Sequence, residues 1–213
     1  MKLAIGAAIS SLFLATAVSA ASLSIVGGAD VTLDGSHNPN YAPLAAFDPA
    51  LVPTVGDGDT IKAFGFGGDA FDTNNGLALS DKSKISIMFL GKDANASNTV
   101  FNLAGGSLSN NGAAGATISA VDLPDWIALA FETIKDAGPE SITNNVGQTD
   151  PSLSMAFYQE NSKNVLAFFG DGRGDSDYDD MVVRISVVPL PAGGLLLLSA
   201  MGGFAVVRRK KKA

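Results

Sequence analysis

The feature that most restricts the fold is a two-residue alternation that recurs in short runs. In Met181–Val188 (MVVRISVV), Met181, Val183, Ile185 and Val187 fall on one side, and Arg184 and Ser186 on the other. In Lys84–Phe89, Ile85, Ile87 and Phe89 share a face opposite Lys84 and Ser86. A period of two sends successive side chains to opposite faces of a strand, so each run predicts a half-buried β-strand. Further strands are expected at Leu23–Val26, Ile61–Phe66, Thr99–Leu103, Ala116–Val121, Leu153–Tyr158 and Val165–Phe169. Trp126–Thr133 also reads as one strand, because Ile127, Leu129 and Phe131 alternate with the smaller Ala128 and Ala130. Clusters such as Val55-Gly56-Asp57-Gly58-Asp59 and Asn110-Asn111-Gly112 punctuate the runs as turns. Asp34–Pro53, rich in Pro, Asn and Asp, predicts a long loop with room for one turn of helix. No long 3.6-residue period competes and no repeat of fixed length is present, which points to an all-β, antiparallel β-sandwich of jelly-roll-like form.

The two ends read differently from the middle. Residues 1–20 have the layout of a signal peptide: Lys2, an apolar stretch from Leu3 to Val18, then small residues around Ser19 and Ala20. At the other end, Pro189–Val207 is apolar and uncharged for 19 residues and stops at Arg208-Arg209-Lys210-Lys211-Lys212. That length is at the low end for a transmembrane helix, and the basic block assigns it a cytoplasmic end. The division expected is therefore a leader at 1–20, a β-sandwich at 21–188 and a tail at 189–213.

Charge and cysteine content exclude several classes of function. Six of the 14 Lys and Arg lie in the leader and tail, while all 21 Asp and Glu lie between them, leaving a net charge of −13 on the middle region. Phosphate binding needs a basic footprint, so no nucleic-acid partner is expected. The chain has no cysteine and one histidine, His37, which rules out thiolate catalysis, Cys-based zinc sites and any site needing two histidines.

One loop carries candidate chemistry. Asp171, Asp175, Asp177, Asp179 and Asp180 place five carboxylates within ten residues between two expected strands. Such crowding is relieved by a hard cation with oxygen ligands, so a calcium site is one reading, with Asp93 or Asp72 as distant ligands. A solvated acidic turn is the other, since Asp and Gly are good turn formers. Asp175-Ser176-Asp177-Tyr178-Asp179 matches the opening of an EF-hand loop, but Asp180 stands where Gly belongs and Ser186 where the bidentate Glu belongs. A second oxygen-rich loop, around Asp72-Thr73-Asn74, has ligand-like spacing and also reads as a turn. The Arg173-Gly174-Asp175 triplet lies inside the acidic loop, where Asp175 has a nearer use. His37 sits in the Pro/Asn-rich stretch and reads as an exposed loop histidine with no nucleophile elbow nearby. Glu132, Glu140 and Glu160 are scattered without the pairing a glycosidase needs, so the chain does not read as an enzyme.

Val188-Pro189-Leu190-Pro191-Ala192, followed by the apolar span and the Arg/Lys cluster, resembles the VPLPA-type variant of the PEP-CTERM sorting signals. Interior pieces are similar to proteins that carry this tail: Leu23–Gly28, Phe89–Ala94 with Asn98–Phe101, and Ala167–Asp171 running into Tyr178–Val183. The last of these also resembles the closing segment of the DUF4114 family, where an Asp-rich loop leads into a terminal strand. The relatives are expected to have Glu where Asp93 stands. The resemblance implies export in a Gram-negative bacterium that makes exopolysaccharide. Signal peptidase would remove the leader, and the tail would hold the chain transiently in the inner membrane. An exosortase-type transpeptidase would then remove the tail. What it implies for the working protein is a structural or adhesive role at the cell surface or in the extracellular matrix, with calcium as a stabiliser. The alternative is a carbohydrate-binding module for matrix polysaccharide.

Overall fold

The computed structural model describes residues 21–135, 138–147, 152–172 and 177–188. The expected leader at 1–20, the tail at 189–213 and Asp175 lie outside the described residues. Among the described residues, fourteen strands succeed one another. The first half holds β1 (Leu23–Val26), β2 (Ala29–Thr32), β3 (Thr60–Gly65), β4 (Gly76–Leu79), β5 (Ser83–Gly91), β6 (Ser97–Asn102) and β7 (Ser107–Ser109). The second half holds β8 (Thr117–Asp122), β9 (Asp125–Trp126), β10 (Leu129–Lys135), β11 (Gly138–Thr143), β12 (Ser154–Asn161), β13 (Asn164–Gly170) and β14 (Met181–Val188). Helix in these residues is confined to α1 (Ala42–Phe47) and a 3-10 turn, Pro49–Leu51.

Every pairing between these strands is antiparallel. A seven-stranded sheet has the order β2-β3-β12-β13-β14-β5-β8, a four-stranded sheet the order β11-β10-β6-β7, and a three-stranded sheet the order β1-β4-β9. Phe64, Ile87, Phe157, Phe169 and Ile185 of the large sheet share one core with Leu77 and Leu79 of the three-stranded sheet and Val100, Phe131 and Ile142 of the four-stranded sheet. Phe131 stacks on Phe169 with ring centroids 4.6 Å apart, joining the layers. The expectation of an all-β, antiparallel, sandwich-like fold is met.

Asn144 joins the two smaller sheets. It is buried; its Oδ1 accepts from Leu77 N at 2.7 Å, and its Nδ2 donates to the carbonyls of Leu77 and Ile127 at 2.9 and 2.8 Å. Gly76 beside it has φ +120°, and a Cβ there would lie 2.2 Å from Asn144 Oδ1. Glycine is required at that position both by backbone conformation and by the approach of the amide.

The stretch predicted as a long loop turns out to cover the outer face of the large sheet. Leu33, Leu44 and Val55 pack there against Ile61, Ala63, Ala156, Leu166, Phe168 and Val182, forming a second core. α1 contributes Leu44, and Asp48 caps the 3-10 turn by accepting from Ala50 N at 3.0 Å. The single strand expected at Trp126–Thr133 is two: β9 pairs with β4 and β10 with β6 and β11, so the chain changes sheets at Ile127–Ala128.

The turn between β12 and β13 holds both ends of the described domain. The carbonyl of Ser162 accepts from Leu23 N and that of Lys163 from Val187 N, each at 2.9 Å, and Lys163 Nζ donates to the carbonyl of Ala21. The acidic loop lies at the other end of β14. Eight residues of strand separate the two poles by about 24 Å at about 3.4 Å per residue.

Candidate functional site

The acidic loop joins the end of β13 to the start of β14, two central strands of the large sheet. It closes on itself where Asp171 N donates to Asp180 Oδ2 at 2.6 Å. Three other segments then meet it. Asn38 N donates to Asp179 Oδ2 at 2.7 Å, Asp93 N donates to the Asp179 carbonyl at 2.8 Å, and Asn98 Nδ2 donates to Asp171 Oδ2 at 2.9 Å. Asp179 and Asp180 are buried, so these carboxylates belong to an internal junction and not to a fully solvated turn. Hydrogen bonds to ionised acceptors are the stronger kind, and three of them converge on one loop.

Tyr178 fixes the loop's course. Its φ of +58° is in the left-handed region, which disfavours any residue with a Cβ, yet its ring is only 1% exposed within the second core. Burial of the ring holds the backbone in that conformation.

His37 is drawn into the same junction. Its Nδ1 lies 2.8 Å from the Asp177 carbonyl, so the ring carries its proton there, and its edge meets Phe168 at 5.4 Å. His37 is therefore half-buried, which corrects the expectation of an exposed loop histidine. Burial lowers its pKa below the ordinary imidazole value, partly offset by the bond to Asp177 and by the charge of Asp34. Its contact with a main-chain carbonyl, with Nε2 buried and unpartnered, is not that of a general base aimed at a hydroxyl.

The five predicted metal ligands therefore take different roles. Asp171, Asp179 and Asp180 accept from N–H donors of the protein, Asp177 supplies a carbonyl to His37, and Asp175 lies outside the described residues. Among the described residues, no three Asp, Glu or His side chains are grouped to hold a metal ion. Asp93, expected as a distant ligand, reaches the loop through its backbone N–H. Asp72 belongs elsewhere: its Oδ1 accepts from Asn74 N at 2.6 Å and its carbonyl from Asn145 Nδ2 at 3.0 Å, as in a local Asx turn.

Sequence reasoning passed over Asn98 and Asn110. Asn98 N donates to Asn110 Oδ1 at 3.1 Å, Asn110 N returns a bond to the Asn98 carbonyl at 2.9 Å, and Asn110 Nδ2 holds the Ala96 carbonyl. Asn98 Oδ1 is buried without a partner, a carbonyl-type oxygen beside the Asp171 carboxylate. A cleft of about 260 Å³ opens nearby, lined by Asn40, Gly91, Asp93 and Asn110 among others. Of the sorting motif, Val188 is the last residue of β14, and Pro189, Leu190, Pro191 and Ala192 lie outside the described residues. No family model, no curated protein and no solved structure matches the chain.

Proposed function

We infer that the chain is an exported, exosortase-processed protein of the cell surface or extracellular matrix, with a structural or adhesive role linked to exopolysaccharide. The observation that carries this reading is the order of the tail: the VPLPA motif at 188–192, an apolar span, then five basic residues. The fold supports it in one respect. Val188 ends a central strand and begins the motif, so removal of the tail beyond it leaves the large sheet whole. The leader directs export, the tail holds the chain in the inner membrane until a transpeptidase acts, and the remaining domain works outside the cell.

Calcium belongs to this proposal as a stabiliser of the acidic pole. The carboxylates of Asp171, Asp179 and Asp180 and the amide oxygen of Asn98 are donors of the kind a hard cation prefers, although the carboxylates already hold N–H groups and, among the described residues, no three acidic side chains are grouped around one point. Mass spectrometry of the protein from its native host tests the sorting reading. The expected product lacks the leader and ends within the VPLPA motif; a C-terminus still at Ala213 overturns it. The second reading, a carbohydrate-binding module, is favoured by a polar groove at the opposite end of the large sheet.

A further inference from the structure

The outer face of the large sheet is only partly covered. Beyond the apolar residues under α1, it turns polar, and a groove of about 430 Å³ opens between the 3-10 turn and the strands. Its wall is Ala50 and Leu51, and its floor comes from β5, β13 and β14. Across that floor, Asn164 pairs in register with Ser186 and Ser186 with Ser86, and beyond the groove the row continues to Ser119 of β8. The result is a row of amide and hydroxyl groups on four adjacent strands, about 4.8 Å apart.

The charged residues that line the groove are Arg184 and Glu160, and they neutralise each other. Arg184 Nε and Nη2 donate to Glu160 Oε2 and Oε1, both at 2.8 Å, and Nη1 donates to the Leu51 carbonyl at 3.0 Å. Each guanidinium nitrogen is engaged, so this is not an open anion receptor. Instead the pair fixes the wall to the floor. Glu160 reaches Arg184 from an irregularity in β12, where the register with β13 shifts between Gln159 and Asn161. Within the groove, the half-buried Leu51 and Met88 lie beside the row of hydroxyl and amide groups, so the site matches both surfaces of a sugar ring: a C–H face and a rim of hydroxyls.

We propose that this groove binds a neutral polysaccharide. Asn164, Ser186 and Ser86 exchange hydrogen bonds with its hydroxyls, Leu51 and Met88 pack on a sugar face, and the Arg184–Glu160 pair holds the site in shape. The charge of −13 between leader and tail repels a polyanion, which separates neutral polymers from polyuronates. The inference deepens the carbohydrate-binding reading and does not depend on tail removal.

Affinity electrophoresis of the full chain in detergent tests it, with hydroxyethylcellulose and dextran as neutral polymers and alginate as the acidic comparator. The expected result is retardation by a neutral polymer. Loss of two hydrogen bonds in the double variant Asn164→Ala, Ser186→Ala should weaken it about tenfold. Ser86→Trp, which fills the groove, should weaken it as well, with the melting temperature unchanged. Retardation by alginate alone, by no neutral polymer, or by a neutral polymer equally in all variants overturns the proposal. Binding of neutral polymer by the full chain, together with a C-terminus still at Ala213 in the protein from its native host, keeps the groove and loses the sorting reading.

Discussion

Asp122 shows how a single carboxylate can oppose the fold that contains it. It closes β8 at 2% exposure; its Oδ2 accepts from Asn102 Nδ2 at 3.0 Å, while Oδ1 is buried without a partner. Burial raises its pKa above the ordinary 3.8, against the lowering effects of the Asn102 amide and the Ala128 backbone N–H. Between the unfolded and the raised folded pKa the native state holds more protons, so stability falls as pH rises through that window. Asp122→Asn keeps an acceptor for Asn102 and removes the charge. The variant is expected to be more stable by about 1 kcal/mol at pH 7, with the advantage shrinking as pH falls through the folded pKa. Urea melts of both proteins across pH 4–8 check this; equal stability at every pH contradicts it. The acidic loop was legible as a cluster because its Asp residues are adjacent in sequence. Of its partners, Asp93 was expected, though through its carboxylate and not its backbone N–H; Asn38 and Asn98 were not, because they come from separate segments, and the Asn38 contact is a backbone N–H with no residue signature.

At the scale of elements, α1 is too short to be stable alone and depends on the sheet beneath it. Leu44 is its one buried residue. Leu44→Ala opens a cavity in the second core and should cost about 2–4 kcal/mol, read as a lower urea midpoint. A change within a few tenths of a kcal/mol would show that the covering segment contributes little to stability. Strands with strict alternation were readable from sequence: β14 has the predicted bounds, and Ile85, Ile87 and Phe89 of β5 are buried as expected. β2, β4, β7 and β11 were not. β4 is only Gly76–Leu79, β7 is three residues, and β11 carries Gly and Pro at its start. These strands owe their place to pairing with stronger neighbours, which a local pattern does not contain. The sheet change at Ile127–Ala128 was hidden for a related reason: Ile127, Leu129 and Phe131 are all buried, so the burial pattern continues while the pairing partners change.

For the molecule as a whole, the sheet separates two kinds of chemistry. One pole carries the acidic junction, and the polar groove lies toward the other. If calcium stabilises the acidic pole as proposed, millimolar calcium raises the melting temperature by a few degrees and a chelator reverses the gain, because a ligand bound only to the native state stabilises it by mass action. An unchanged midpoint in both solutions removes calcium from the account.

The hydrogen bonds from Leu23 and Val187 to the Ser162–Lys163 turn have a mechanical consequence. A domain whose two ends leave from one pole points the same way whether it is tethered by its first residue or by its last. An anchor could pass from one end to the other without rotating the molecule, and a pull between the ends would load that turn first. The far pole, with its cleft and its buried carboxylates, would carry no part of the initial strain and would keep its shape toward whatever it faces.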